Sequence, residues 1–347
     1  MLQVTFYLIV CDEKNKRSSL QDIADAVGVT KMTVSRYLRN PEKVSESTRT
    51  KISAAIDTLG YIANKAPDLL SNAKSYSIGV LVPSLTNQVF AQVIKGIEDV
   101  TGPAGYQTML AHYGYNPEIE EKRVEYLLSY HVDGLILSET THTDRTLKMI
   151  ETSGVPVIEI MDTHHSPMQQ AIGFDNVKAA FDMTTALLNK GYRNIVYIGA
   201  RLDVRTRLKF QGYSDAMLAK GFTPKSVMTD QASSYSLGAE LLQKALTDYP
   251  NTDCLFCTND DLAIGAIFEC QRNNILVPSQ MGVVGFHGHD IGQAMVPQLA
   301  SVITPRYQIG NVAGRELLSR INSDLDARIN YKQVIDTGYI VHLGESV

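Results

Sequence analysis

Leu20-Gln-Asp-Ile-Ala-Asp-Ala-Val-Gly-Val-Thr-Lys-Met-Thr-Val-Ser-Arg-Tyr-Leu38 is the stretch on which the reading of this chain turns. Leu20, Ile23, Ala24 and Val27 recur at helical spacing, so they share one face. Gly28 follows, where a chain leaving a helix adopts the left-handed conformation. Thr30 is a good N-cap for a second helix through Leu38. Val34, Tyr37 and Leu38 on that helix are expected to turn back toward the first, and Asn40-Pro41 stops it. Ser45 then caps a third helix to about Leu59, with Ile52, Ala55, Ile56 and Leu59 on one stripe. A small residue at 24, glycine at 28 and valine at 34 make helix-turn-helix spacing. The small residue lets the helices cross closely, the glycine makes the turn, and the second helix projects for the major groove.

On that second helix Lys31, Met32 and Arg36 are expected to point outward, with Thr33 and Ser35 alongside. Arg36 can donate two hydrogen bonds to guanine O6 and N7. Lys31 can reach a base edge or a phosphate. Thr33 and Ser35 suit phosphate contacts, which set register without carrying sequence information. The alternative for these residues is a charged, solvated helix face.

Charge supports the nucleic-acid reading. Residues 14–76 carry 11 Lys/Arg against 6 Asp/Glu, whereas residues 77–347 carry 21 against 29. A basic head on an acidic body is the asymmetry of a nucleic-acid module joined to something else. The net charge of -5 excludes a uniformly basic, histone-like protein. With 347 residues, 44% apolar and 20% charged, the chain is globular, with room for two or three domains.

Residues 61–74 link head to body. Pro67 fits the first turn of a short helix. A helix of only six or seven residues is marginal in water and orders only when docked. Leu70 sits where two copies could wedge apolar side chains into a minor-groove base step. The alternative is an ordinary linker with a buried leucine. At the front, residues 2–11 are apolar but far short of the roughly 20 of a membrane span. They lack a basic flank and a small-residue cleavage site. They read as a non-native or misassigned start, or a short extra strand, with an export signal as the lesser alternative.

Four cysteines in a chain this long make no disulfide framework. Cys254 and Cys257 form a C-x-x-C on an expected buried strand. Positions three apart on a strand face opposite sides, so the sulfurs diverge. Reduced core thiols, and with them a cytoplasmic protein without membrane contact, are the expectation.

From Tyr76 onward short apolar runs alternate with amphipathic segments. Strands are expected at 78–82, 106–111, 134–137, 156–160, 195–198, 254–257 and 281–285. Helices are expected at 90–101, 118–130, 144–152, 179–190, 211–220, 237–246 and 262–272. Such alternation argues parallel sheets covered on both faces, and the restart after Phe174 argues two doubly wound α/β lobes. Ligands of open α/β sheets bind beyond the carboxyl ends of the strands. The loops there hold Ser84, Asn87 and Phe90, then Ser138, Asp162 and Phe174. In the later half they hold Arg201, Arg207, Lys209, Asn259 and His287. Hydroxyls, amides, aromatic rings and several cations suit a polyhydroxylated, sugar-like ligand.

With these residues the chain resembles the lactose-repressor (LacI-type) family of bacterial transcription regulators. The resemblance rests on residues 20–38, on Val44-Ser45 and on Gly60-Tyr-Ile-Ala-Asn64, and extends from residue 18 to about 343. It implies a helix-turn-helix head and a two-lobed, type I periplasmic-binding-protein-like body crossed three times by the chain. It places Lys31 and Met32 at the main specificity positions and makes Arg36 the shared base contact. Tyr61 and Asn64 join the DNA-contacting set, Asn64 as a backbone contact, and Leu70 becomes the intercalating hinge leucine. Ala63 departs from the family's usual proline and leaves the hinge entry looser. The implied division is 1–17 extra segment, 18–65 head and 66–76 hinge. The first lobe is then 77–174 with 306–333, and the second 175–305 with 334–347.

Two departures bear on the ligand. Family members that bind neutral sugars often carry Arg where Lys209 stands and Asp where His287 stands. Loss of that carboxylate, with Arg201, Arg205 and Arg207 close by, favours an anion. The stretches 105–115, 257–261 and 285–292 look most like the gluconate and idonate operon repressors. The expected effector is therefore a sugar acid: gluconate, its phosphorylated form or a ketogluconate. One recognition helix reads few bases, so a homodimer on a pseudo-palindromic, double-stranded operator is expected. A metal at His287, His289 and Asp290 is weakly permitted by spacing, but structural histidines are the preferred reading. No cofactor is expected. Neither a G-x-x-x-x-G-K-[ST] loop nor a G-x-G-x-x-G opening a helix appears, which speaks against a kinase or dehydrogenase.

Overall fold

In the computed structural model the described residues are 17–63, 74–323 and 333–347. The extra N-terminal segment up to residue 16, Asn64, Pro67 and Leu70 lie outside them. The chain divides into two compact units, Met1–Ala73 and Lys74–Val347.

The head has three helices, α1 (Leu20–Val27), α2 (Lys31–Arg39) and α3 (Glu46–Leu59). Ser19 and Asp22 form a reciprocal capping box at the start of α1, and Gly28 ends it at φ 73°. Thr30 Oγ1 accepts the Thr33 N–H at 3.2 Å to start α2. Ile23, Ala24, Val34 and Ile52 are fully buried where the helices meet, with Tyr37, Ala55, Ile56 and Tyr61 packed around them. Leu38 does not join them: it is exposed, because α2 turns only Val34 and part of Tyr37 inward.

The body holds two six-stranded sheets. The first contains β1 (Ser77–Val82), β2 (Gln107–His112), β3 (Gly134–Leu137), β4 (Val157–Ile160), β5 (Gln170–Gly173) and β11 (Gln333–Asp336), in the order β11-β5-β4-β3-β1-β2. The second contains β6 (Ile195–Ala200), β7 (Lys225–Thr229), β8 (Cys254–Cys257), β9 (Gly282–His287), β10 (Ala300–Ile303) and β12 (Ile340–His342), in the order β12-β10-β9-β8-β6-β7. Every pairing is parallel except β10 with β12.

Helices α4 (Val89–Thr101), α5 (Pro117–Ser129) and α6 (Asp144–Ser153) follow the strands of the first sheet. Helices α7 (Asn176–Lys190), α8 (Val204–Ala219), α9 (Tyr235–Asp248), α10 (Asp260–Arg272) and α11 (Asp290–Ala294) belong to the second half, and α12 (Arg306–Ile321) returns to pack on α4. That packing needs glycine: a Cβ on Gly310 would lie 1.9 Å from the Val93 carbonyl oxygen.

The chain crosses between the sheets after β5, after β10 and after β11. The lobe boundary expected at 333/334 falls inside β11, which pairs along its whole length with β5; the last crossing follows at residues 337–339. The basic segment 201–209 is also not a loop throughout. Helix α8 starts at Val204 rather than near Gln211, because Asp203 accepts the Thr206 N–H at 2.7 Å and caps it early. Cys254 and Cys257 are free and buried in the cores on opposite faces of β8. Burial pushes both thiols up. No described helix is long and apolar enough to cross a membrane.

Candidate functional site

The outer face of α2 is polar and open. Lys31, Arg36 and Arg39 are exposed, Met32 is 70% exposed, and Thr33 and Ser35 are half-buried. Thr33 is partly occupied by its own helix start, its hydroxyl 3.0 Å from that of Thr30. Tyr61 is half-buried against the head core, its N–H bonded to the Ile56 carbonyl at 3.1 Å. A short helix holding cations and an apolar tip outward over a small rigid core has the form of a groove-reading element.

In the body, the carboxyl ends of both sheets meet at a narrow polar cleft with a cavity volume of about 40 Å³. Asn87, Phe90 and Tyr115 come from the first lobe. Arg201, Asp203, Arg205, Thr206 and Lys209 come from the segment after β6, Ser233, Asn259 and Thr258 from loops after β7 and β8, and His287 from the end of β9. Below it, Phe174 at the first crossover stacks on Phe286 at 6.0 Å, and Phe286 on Phe256 at 6.4 Å. This aromatic column ties the first crossover to the second-lobe core.

Three cations line the cleft, and they differ in how they are compensated. Arg205 reaches across to the first lobe. Its guanidinium donates to the Ser138 carbonyl and to Glu139 at 3.0 Å, with Asp203 at 3.7 Å. Tyr113 donates to the same Glu139 oxygen at 2.6 Å. Burial opposes the Arg205 charge, but Glu139 and Asp203 hold it on. Arg201 lies over the Tyr115 ring, 5.0 Å from its centroid, and reaches Ser233 at 3.4 Å. Tyr115 accepts in turn from Asn87 at 3.1 Å, and Asn259 donates to Ser233 at 2.6 Å.

Lys209 is buried. Its Nζ donates to the Thr258 carbonyl at 3.1 Å, lies 3.1 Å from His287 Nε2, and sits 4.0 Å over the Phe286 ring. His287 Nδ1 lies 3.2 Å from the Thr304 hydroxyl. Burial, then the neighbouring Lys209, push the imidazole far below its ordinary value, so it is neutral. With Lys209 Nζ as the donor to Nε2, the ring proton lies on Nδ1, which donates to Thr304. A second buried set lies in the first lobe, where His142 stands 3.1 Å from Glu120 and 3.4 Å from Glu159. Burial works against its charge, but the bonds to Glu120 and Glu159 raise it to about 9.

Two family models match the chain. That of bacterial regulatory proteins of the lacI family matches residues 19–64. That of periplasmic binding proteins and the sugar binding domain of the LacI family matches residues 75–334. The chain belongs to the LacI family of bacterial regulators. The LacI-family relatives include the HTH-type transcriptional regulator GntR of Escherichia coli K12, 58% identical over 96% of this chain and 100% of that one. The regulator IdnR of the same strain is 45% identical over 96% of this chain and 100% of its own. A solved LacI-family regulator from Silicibacter pomeroyi superposes with a TM-score of 0.86 at 32% identity, covering 95% of this chain and 99% of that one. A lac repressor dimer bound to operator and the anti-inducer ONPF shares the fold, with a TM-score of 0.81 at 21% identity over 95% and 99% of the two chains. This LacI-family protein is thus a DNA-binding transcriptional regulator, and its relatives are named as regulators rather than enzymes.

Within that LacI-type body the cleft gathers Asn87, Phe90, Arg201, Lys209, Asn259 and His287. Phe174 stacks beneath it. Ser138 is buried behind it, with its carbonyl engaged by Arg205. Asp162 is buried and accepts from Asn176 at 2.8 Å. Ser84 caps its own loop by accepting the Thr86 N–H at 3.2 Å and does not line the cleft. Arg207 is exposed on α8 and faces a neighbouring pocket with Tyr113 and Glu120. The early start of α8 explains this: on a helix, residues 205 and 209 share a face and 207 points away from it. Tyr115, Asp203, Thr206, Ser233 and Thr258 are additional lining residues. Tyr115 and Asp203 carried a signal, as polar residues just beyond strands; Ser233 carried none. Among the described residues no three His, Cys, Asp or Glu side chains converge as a metal site.

Proposed function

We propose that this regulator represses a sugar-acid catabolic operon. It binds a pseudo-palindromic operator as a homodimer, and a small sugar acid such as gluconate or a phosphorylated or keto derivative switches it from the interlobe cleft. The observation that carries the ligand class is the charge of the cleft. Arg201 and Lys209 line it without a carboxylate partner among the described residues, while Arg205 alone is internally paired. One cation and one buried basic group without a carboxylate partner, facing a polar, hydroxyl-lined cavity, favour an anion bearing hydroxyls. The identities to GntR and IdnR support the same reading.

On the DNA side, Lys31, Met32 and Arg36 read base edges, Thr33 and Ser35 touch phosphates, and Tyr61 and Asn64 support the backbone contact. Leu70 of each copy wedges the minor groove. Ser84, Ser138, Asp162, Phe174 and Arg207 remain in the effector set, as supports around the lining residues. Ligand binding changes the angle between lobes and so biases the operator-competent state. The protein works in the cytoplasm, where promoter DNA and metabolites meet.

The test is a titration of purified protein on promoter fragments against random competitor, with and without a panel of sugar acids, paired with calorimetry. Selective retention of one fragment, altered by a sugar acid, is expected. Binding of galactose with none of gluconate, 6-phosphogluconate or ketogluconate would overturn the ligand class. Indifference to every promoter fragment would overturn the regulator mechanism.

A further inference from the structure

Lys209 stands out among the buried charges of the described residues. Arg205, four residues earlier on α8, is matched by Glu139 and Asp203, and His142 by Glu120 and Glu159. Lys209 is equally buried, 3% exposed, yet its recorded partners are a carbonyl and a neutral imidazole. An ammonium has three N–H groups, and these two contacts leave one for the cavity that Lys209 lines. A buried cation with no counter-charge either sheds its proton or waits for an anion.

We propose that Lys209 is the residue that tells an acid from a neutral sugar, and that the protein takes up a proton there when a carboxylate ligand enters the cleft. The proposal rests on the sugar-acid reading of that cleft. The step balances simply: a neutral Lys209 amine takes one proton from solvent, and the resulting ammonium pairs with the incoming carboxylate. The surroundings are consistent with it. Burial holds the lysine down to about 7, opposed by Asp203 and reinforced by Arg205, with Asp260 and Asp162 adding weaker attraction. These groups come from α8, from α10 and from the loop after β4. His287, at the end of β9, adds no charge because it is neutral. A ligand carboxylate in contact with Nζ supplies what those more distant acids do not, and raises the lysine well above neutrality.

The experiment is calorimetry of the full chain with gluconate in buffers of different ionisation enthalpy, which counts protons directly. Proton uptake is expected to rise from pH 6 to pH 8, towards one proton, with affinity falling as pH rises by at most about tenfold per pH unit. Lys209→Arg keeps its charge throughout and should abolish both the uptake and the pH dependence. His287→Asp builds an internal counter-charge and should abolish the uptake and weaken gluconate at least about tenfold. Gluconate binding without proton uptake at pH 8, or uptake persisting in Lys209→Arg, overturns the proposal. The wild-type measurement needs no variant to fold. No heat with gluconate, 6-phosphogluconate or ketogluconate at any pH overturns the sugar-acid reading itself, and the proposal with it.

Discussion

The outer face of α2 and the floor of the interlobe cleft both carry lysine and arginine, and the proposed function gives each a negatively charged partner, yet they would work by opposite physics. Lys31 and Arg36 are exposed. Their attraction to a polyanion is long-ranged, screened by salt and tolerant of position. Arg205 and Lys209 are buried, where each charge must be matched locally or suppressed. Exposed cations therefore supply affinity and approach, and buried ones supply discrimination. The proposed function, scanning a long polymer and recognising one metabolite, calls for both kinds.

Salt should separate the two regions most widely. Raising salt from about 50 to about 200 mM should weaken DNA binding by roughly 10³–10⁵-fold, the range for about 6–10 phosphate contacts, while effector affinity changes far less. Anisotropy and calorimetry on one preparation would show it, and parallel salt slopes would erase the contrast. Next in size is Arg205→Ala, which strands Glu139 in a buried setting. It should cost the body about 3–5 kcal/mol in urea unfolding, against a fraction of that for Arg36→Ala. A cost under about 1 kcal/mol would mean the cross-lobe pair is effectively solvated.

The His142 set sharpens the same point through pH. Its folded value, about 9, lies above the ordinary 6.5. The stabilisation is therefore complete below pH 6.5 and is lost as pH rises through about 9, by at most about 3 kcal/mol. Thermal melts of the wild type should fall across that window, and His142→Asn should flatten the fall. A wild-type profile flat from pH 6.5 to 9.5 would show that the histidine is not held charged. The smallest effect is expected at the exposed face. Arg36→Ala should weaken operator binding by about 1–3 kcal/mol, relax selectivity at one base pair, and leave effector binding unchanged. Uniform weakening across operator variants would reassign Arg36 to phosphate.

Legibility followed the length scale of each feature. The head was readable because its signals are local: Thr30, Gly28 and the spacing of Ile23, Ala24 and Val34 act within a few turns of chain. The central strands 134–137 and 254–257 were readable as short apolar runs. β5, β7 and β10–β12 were not: Gln170, Lys225 and Gln333 open three of them with a polar residue, and none of the five is an unbroken run of large apolar side chains. Such strands are specified by neighbours already in place. Helix α8 was begun too late because Asp203 reads as one more loop charge until its carboxylate is seen capping Thr206.

From the order of residues alone came the three-helix head, the two α/β halves, the carboxyl-end loops and the surplus of cations among them. How each cation is compensated was decided only in three dimensions. Arg205, Arg207 and Lys209 are equivalent in sequence, but the helix turns one outward, places a second against Glu139 of the other lobe, and leaves the third buried with no carboxylate partner in contact among the described residues. Charge compensation depends on distances of a few ångströms between segments remote in the chain, and no local pattern encodes such distances.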